Sequence, residues 1–464
     1  MTLIKSISGI RGTIGGKPGD GLSPLDIVKF ASAYGSWIIS NANNKNATVV
    51  IGRDARLSGS MVSNIVSGTL IGLGINVIDL GLSTTPTVEV AVTELKADGG
   101  IILTASHNPK QWNALKLLNN KGEFISDSEG KHILDVAEKE DFTYCDVDKL
   151  GNYSQRDDLL KIHIDKVLNL PYVDVNAIKN ANFSVAVDAV NSSGGIAIPM
   201  LLEALGVKTI HKIHCEPTGH FAHNPEPLPE HLRDLSEAVL KTKSHVGISV
   251  DPDVDRLALV CEDGHMFGEE YTLVAVADAV LNHHKGGNTV SNLSSTRALR
   301  DVTEKTGGSY SASAVGEVNV VNMMKATNSI IGGEGNGGVI LPELHYGRDA
   351  LVGVAIFLTH LAKSGKTTSM LRASYPNYHI SKNKIELTPE INVDKVLVSV
   401  KEKYAKQPVN TVDGVKIEFD KEWVHLRKSN TEPIIRIYSE SQSESTADAL
   451  AKKIIEDIKE IIKN

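Results

Sequence analysis

Cysteine is scarce: Cys145, Cys215 and Cys261 are the only three in 464 residues. Their odd number and wide spacing fit neither a disulfide framework nor a paired-cysteine zinc site, so reduced, buried thiols are expected. No run of about 18 uninterrupted apolar residues occurs. Met1 to Gly12 carries no basic region ahead of an apolar core. A cytoplasmic chain with no membrane partner is therefore expected. A basic surplus is missing too, since 48 Lys and Arg face 56 Asp and Glu, for a net charge of -8. That argues against a nucleic-acid partner, which needs clustered positive charge. A small anionic ligand needs only a local basic pocket.

What is present is ordinary for a globular chain, with 41% hydrophobic and 22% charged residues. The length suggests roughly three or four domains. Three segments repeat one grammar of apolar strand, polar or glycine-rich turn, helix, glycine and strand. The first runs from Ala47 through Gly52-Arg53-Asp54 and a helix over 60–73 to Ile75 to Ile78. The second spans Phe183 to Ile210, and the third Thr289 to Tyr310. Alternating strand and helix predicts α/β domains with mostly parallel sheets. The C-terminal part instead predicts antiparallel strands over 415–419 and 423–426, with a final amphipathic helix over 445–463, an α+β unit. Boundaries are placed at 1–150, 151–255, 256–370 and 371–464.

Four constellations carry candidate chemistry. Thr104-Ala105-Ser106-His107-Asn108-Pro109 follows the apolar run Gly100 to Leu103, so Ser106 sits where parallel sheets bind ligands. His107 invites a hydrolase reading, but a Gly-x-Ser-x-Gly elbow is absent and neighbours in an extended loop point apart. Asp251-Pro252-Asp253-Val254-Asp255-Arg256 lies between two apolar strands. Three alternating carboxylates can converge on one hard cation, and oxygen donors favour magnesium over zinc. A solvated acidic turn is the plain alternative. Flanking strands, and Arg256 where an EF-hand requires glycine, exclude that motif.

Gly332 to Gly338 forms a glycine-rich loop in which Glu334 and Asn336 offer an acceptor and a donor to hydroxyls, while glycine lets backbone approach a ligand. Arg427-Lys428-Ser429-Asn430-Thr431-Glu432-Pro433, followed by Arg436, reads as an anion cradle, since guanidinium groups match phosphate geometry. A mobile glycine turn and a solvated hairpin tip are the plain alternatives.

Taken in order, Ser8 to Gly12, Thr104 to Pro109, Asp251 to Arg256, the Glu334 loop and Arg427 to Glu432 resemble the α-D-phosphohexomutases across nearly the whole chain. The resemblance implies four domains around a central cleft and reversible movement of phosphate between the 1 and 6 positions of a hexose. It implies that Ser106 is phosphorylated and also contacts a Mg2+ held by Asp251, Asp253 and Asp255, with a hexose 1,6-bisphosphate as activator. Arg11, His107 and Lys116 would surround the phosphoserine, with Arg256 beside the metal loop. Glu334 and Asn336 would read the sugar, and Arg427, Ser429, Asn430, Thr431 and Arg436 would hold the second phosphate.

Two departures stand out. Where many bacterial members carry Ser and His in the sugar loop, this chain has Asn336 and Gly338, closer to the archaeal type. Ala114 replaces a common glycine. The expected substrate is glucosamine 6-phosphate, converted to glucosamine 1-phosphate for cell-wall precursor synthesis. The alternatives are glucose or mannose phosphates, phosphatase activity, or a silent sugar-phosphate binder. The resemblance leaves room for a homo-oligomer.

Overall fold

The computed structural model describes residues 2–6, 9–42, 46–388, 391–428 and 434–463. It forms two compact units, one of residues 1–279 with 336–371 and the other of 280–335 with 372–464.

The first unit holds two sheets. In the N-terminal one, Thr48–Arg53 is central, paired in parallel with Asn76–Leu82 and Gly99–Leu103. Trp112–Leu118 then runs antiparallel to Gly99–Leu103 and to Gly9–Thr13. The sheet is thus parallel in its middle and mixed at one side. Gly99 to Leu103 is wholly buried, as expected for a strand covered on both faces. The second sheet sets Ser184–Asp188 beside Thr209–Ile213 and Val246–Val250 in parallel, with Leu257–Cys261 closing it antiparallel.

Two helices matter for the site. Thr85–Glu94 starts on Thr84, whose hydroxyl accepts from Thr87 N, and Pro86 sits in its first turn, where no amide partner is needed. Ala350–Ser364 starts on Asp349, whose carboxylate accepts from Leu351 N and Val352 N, and it ends at Gly365 in the left-handed region.

In the second unit Asn288–Asn292 pairs in parallel with Ser309–Ser313 and Ile331–Glu334. Its other sheet is antiparallel, ordering His379–Glu386, Ile434–Ser441, Trp423–Lys428, Val415–Glu418 and Val409–Asn410, with the helix Glu444–Lys463 alongside. Three α/β sheets and a C-terminal α+β sheet match the sequence reading. The thiols depart from it in part: all three are free, but only Cys261 is buried, Cys145 and Cys215 being half-buried. No helix among the described residues is long and apolar enough to cross a membrane.

Candidate active site

The serine loop leaves the C-terminal end of Gly99–Leu103 and turns at Ser106, whose φ of 48° lies in the left-handed region. Side chains and backbone anchor this uncommon conformation. Ser106 N donates to Thr104 Oγ1 (2.9 Å), and Thr104 Oγ1 donates to Asp54 Oδ2 (2.6 Å). Arg56, 2% exposed, pairs with Asp54 at 3.0 Å and donates to the carbonyls of Ser106, Asn108, Pro109 and Trp112. One planar fork thus pins four backbone carbonyls.

The turn corrects one expectation. Because Ser106 is left-handed rather than extended, the neighbouring side chain does not point away, and His107 Nδ1 lies 3.4 Å from Ser106 Oγ. Burial, followed by the positive charge of Arg256, depresses the His107 imidazole to about 3, so it is neutral near pH 7.

Ser106 Oγ donates to Asp251 Oδ2 at 2.7 Å, which joins the serine loop to the aspartate loop. Asp251, Asp253 and Asp255 are each 0% exposed. The loop is tightly wound: Asp255 N and Arg256 N both donate to Asp251 Oδ1 (3.2 and 3.1 Å), and β-branched Val254 is held at φ 64°. Thr85 Oγ1 donates to Asp253 Oδ2 (2.5 Å). Lys116 Nζ reaches Asp253 Oδ2 (2.7 Å) and Asp255 Oδ2 (3.5 Å), and Arg348 pairs with Asp255 Oδ2 at 2.7 Å.

Two cations against three carboxylates leave a negative balance. Burial, with Asp255 and Asp253 adding to it, raises Asp251 well above the usual carboxylate range. Burial alone would lower the Lys116 ammonium, but Asp253 and Asp255 outweigh it and hold it charged.

The donor set fits a hard cation. Asp253 Oδ1 and Asp255 Oδ1 are buried without a hydrogen-bond partner, and one oxygen from each of the three aspartates lies within 4.8 Å of the others. Orphaned buried carboxylate oxygens are costly unless neutralised, and oxygen-only ligands suit magnesium. Above them opens a cavity of about 170 Å³ lined by Gly9, Arg11, Ser106, His107, Lys116, Arg256 and Arg348, among others. Four of these carry guanidinium or ammonium groups, so the cavity suits an anion. Arg11 stands opposite Ala114 on adjacent strands, and the Gly-to-Ala departure leaves Lys116 in register across from Ile102.

Arg56, Arg348 and Thr85 escaped the sequence reading. Arg56 follows the noted Gly52-Arg53-Asp54 turn by two residues, but nothing local marks its burial. Arg348 has a partial signal in Gly338. A Cβ built there would lie 2.4 Å from Arg348 Cδ, so glycine opens the passage by which Arg348 reaches Asp255. Gly337 (φ 83°) is needed for a close approach to backbone, since its Cβ would sit 2.3 Å from Leu257 O. Gly337 and Gly338 thus make room for the protein's own chain.

Asn336 Oδ1 accepts from Gly338 N (3.2 Å), closing its own turn. In the second unit Glu334 is 5% exposed, and its Oε1 accepts from Asn292 Nδ2 (2.9 Å) and Gly316 N (3.2 Å). Arg427 and Arg436 stand opposite each other on paired strands, Arg427 Nε 2.8 Å from Asp413 and Arg436 exposed. Ser429, Asn430 and Thr431 lie outside the described residues, as does Ser8.

Comparison with known proteins supplies the family. Models of the phosphoglucomutase/phosphomannomutase α/β/α domains I, II and III match residues 3–144, 161–264 and 268–378, and the C-terminal domain model matches 387–457. A phosphoglucomutase/phosphomannomutase of Thermococcus kodakarensis is 36% identical over 94% of this chain and 95% of its own. A phosphoglucosamine/phosphogalactosamine mutase of Sulfurisphaera tokodaii is 32% identical over 97% of this chain and 98% of its own. A crystal structure of a phosphoglucomutase/phosphomannomutase family protein from Burkholderia thailandensis shares the fold, with a TM-score of 0.86 at 24% identity, covering 100% and 98% of the two chains. The chain belongs to the α-D-phosphohexomutase family. It is a phosphohexomutase, an isomerase acting on phosphosugars.

Proposed function

We propose that the chain interconverts glucosamine 6-phosphate and glucosamine 1-phosphate, with Ser106 as the phosphate carrier. The observation that carries the serine's role is its hydroxyl 2.7 Å from Asp251, inside a cavity ringed by cations. The full-length likeness to a phosphoglucosamine/phosphogalactosamine mutase supports the sugar. The phosphoglucomutase/phosphomannomutase relative favours a second reading, glucose or mannose phosphate on the same machinery.

In this reading the P–O bond of phospho-Ser106 breaks as a new one forms to the free sugar hydroxyl. The resulting hexose 1,6-bisphosphate reorients, and its other phosphoryl group returns to Ser106. Asp251, Asp253 and Asp255 would hold Mg2+, which when bound neutralises charge on the transferring group. Lys116 and Arg11 stabilise that charge. Lys116 is held charged by Asp253 and Asp255, and neutral His107 lies 3.4 Å from Ser106 Oγ. Arg256 contributes positive charge to the cavity. Glu334 and Asn336 read the sugar. Arg427, Arg436 and residues 429–431 hold the phosphate that is not reacting. Division near residues 150, 255 and 370 belongs to the same proposal, supported by matched models ending at 144, 264 and 378.

The test is a coupled assay with Mg2+ and a trace of hexose 1,6-bisphosphate, comparing kcat/KM for glucosamine, glucose and mannose phosphates. A preference of about 10-fold or more for glucosamine phosphate upholds the proposal; a difference of that size needs only ~1.4 kcal/mol from pocket contacts. Equal or better rates with glucose or mannose phosphate replace it with the second reading.

A further inference from the structure

Behind the aspartate loop, His163 meets a pair of side chains four residues apart, and the three turn ligand atoms toward one another. His163 comes from the helix Leu159–Leu168, His345 from the segment after Pro342, and Asp349 from the start of Ala350–Ser364. We propose that His163 Nε2, His345 Nε2 and Asp349 Oδ2 form a second metal site, for a divalent transition ion of the zinc class.

Geometry is the first argument. His163 Nε2 lies 2.8 Å and His345 Nε2 3.1 Å from Asp349 Oδ2, and one ligand atom from each of the three residues lies within 4.8 Å of the others. Donors about 2.0–2.1 Å from a tetrahedral zinc ion stand roughly 3.3 Å apart, so the two nitrogen–oxygen pairs must each open by roughly half an ångström or less. Two imidazoles and a carboxylate suit zinc, whereas the three aspartates suit magnesium, so the two sites select different ions.

The support behind each ligand is a second, independent observation. His163 Nδ1 is 3.0 Å from Thr87 Oγ1, and His345 Nδ1 is 3.0 Å from Glu89 Oε2. Asp349 Oδ1 accepts from Leu351 N (2.8 Å) and Val352 N (3.3 Å). Ligating histidines characteristically turn their far nitrogen to such partners; Thr87 is hydrogen-bonded to His163, and Glu89 lies within ion-pair distance of His345.

Charge is the third argument. Glu89 and Asp349 are each 1% exposed, so two buried carboxylates face two imidazoles. One divalent ion would balance those two carboxylates. Access runs along residues 342–346, which are partly exposed.

The site has a mechanical consequence. Glu89 and Thr87 share the helix Thr85–Glu94 with Thr85, which holds Asp253, and Asp349 follows Arg348, which holds Asp255. An ion here ties together two segments that brace the aspartate loop.

The experiment uses the whole chain, stripped with chelator and then held in excess Mg2+ to fill the aspartate loop. Zn2+ or Co2+ is titrated while bound metal, cobalt absorption and Tm are followed. One tight equivalent is expected, with a visible band from a low-coordinate cobalt site, a higher Tm, and X-ray absorption of the wild-type zinc form consistent with two imidazoles. Asp253→Asn should retain this equivalent, and His163→Gln and His345→Gln should each lose it. The wild-type spectrum stands even if a histidine variant fails to fold. Absence of a cobalt band and of retained ion in the wild type would overturn the site, as would an equivalent that survives both histidine substitutions.

Discussion

The serine and aspartate loops contrast with the arginine-bearing strands of the C-terminal sheet. The first region is buried and cross-braced: three aspartates are fully buried, and Lys116, Arg348, Thr85 and Arg56 each fix a named atom. The second leaves Arg436 exposed and holds Arg427 through one ion pair with Asp413. On the proposed function, the contrast follows from what each task would demand. Group transfer requires reacting atoms held to a fraction of an ångström, because charge develops at one place. A phosphate that must be accepted in two orientations requires positive charge with freedom to adjust. Buried charge pairs cost desolvation and supply little net stability, so their concentration in one region is a mark of chemistry.

The sharpest way to break this comparison is Ser106→Ala. Mutase turnover should fall by ~10³-fold or more, since a nucleophile has no substitute, and Tm should hardly move. Turnover within a few-fold of wild type would remove the carrier role.

Arg56→Ala asks whether bracing costs stability as well. It strips four carbonyls of a donor and leaves Asp54 buried beside no cation, so a loss of about 3–5 kcal/mol is expected by denaturant unfolding. An unchanged midpoint would mean that water replaces the guanidinium.

Acid should act on the second region through His425. Asp413 O can only accept, so His425 Nε2 donates to it (2.6 Å), and Nδ1 then accepts from Ser294 Oγ (3.0 Å). Burial depresses this imidazole to about 4. The unfolded chain therefore binds a proton that the folded one refuses between about 6.5 and 4, and stability falls as pH drops through that window. The loss should approach about 3 kcal/mol and be absent in His425→Gln, read by hydrogen exchange in Trp423–Lys428.

The smallest effect belongs to Arg427→Ala, which should raise KM about 10-fold for every phosphosugar alike, some 1.4 kcal/mol. A change confined to one sugar would move Arg427 from the phosphate to specificity.

Much of the site could be read from the chain because its parts are local. Thr104 to Pro109 follows a strand, and Asp251 to Asp255 alternate within one turn, so short spacing alone brings each set together. Arg348 and Arg56 were not legible. Arg348 meets Asp255 from 93 residues away, and the burial of Arg56 depends on carbonyls that converge only after the serine loop has turned. His345 and Asp349 stand four residues apart, but His163 joins them from 186 residues before Asp349, so the set was not legible as a whole.

By itself the sequence determined the alternation of strand and helix, the C-terminal change to antiparallel strands, and which short loops carry the serine, the carboxylates and the arginines. These follow from periodicity and from residues within a few positions of each other. The tertiary structure alone decided that Ser106 turns left-handed toward His107, that Gly338 makes way for Arg348, and which oxygens stay orphaned for a cation. Those outcomes depend on long-range packing, where a side chain's partner is set by the space and charge that other elements leave.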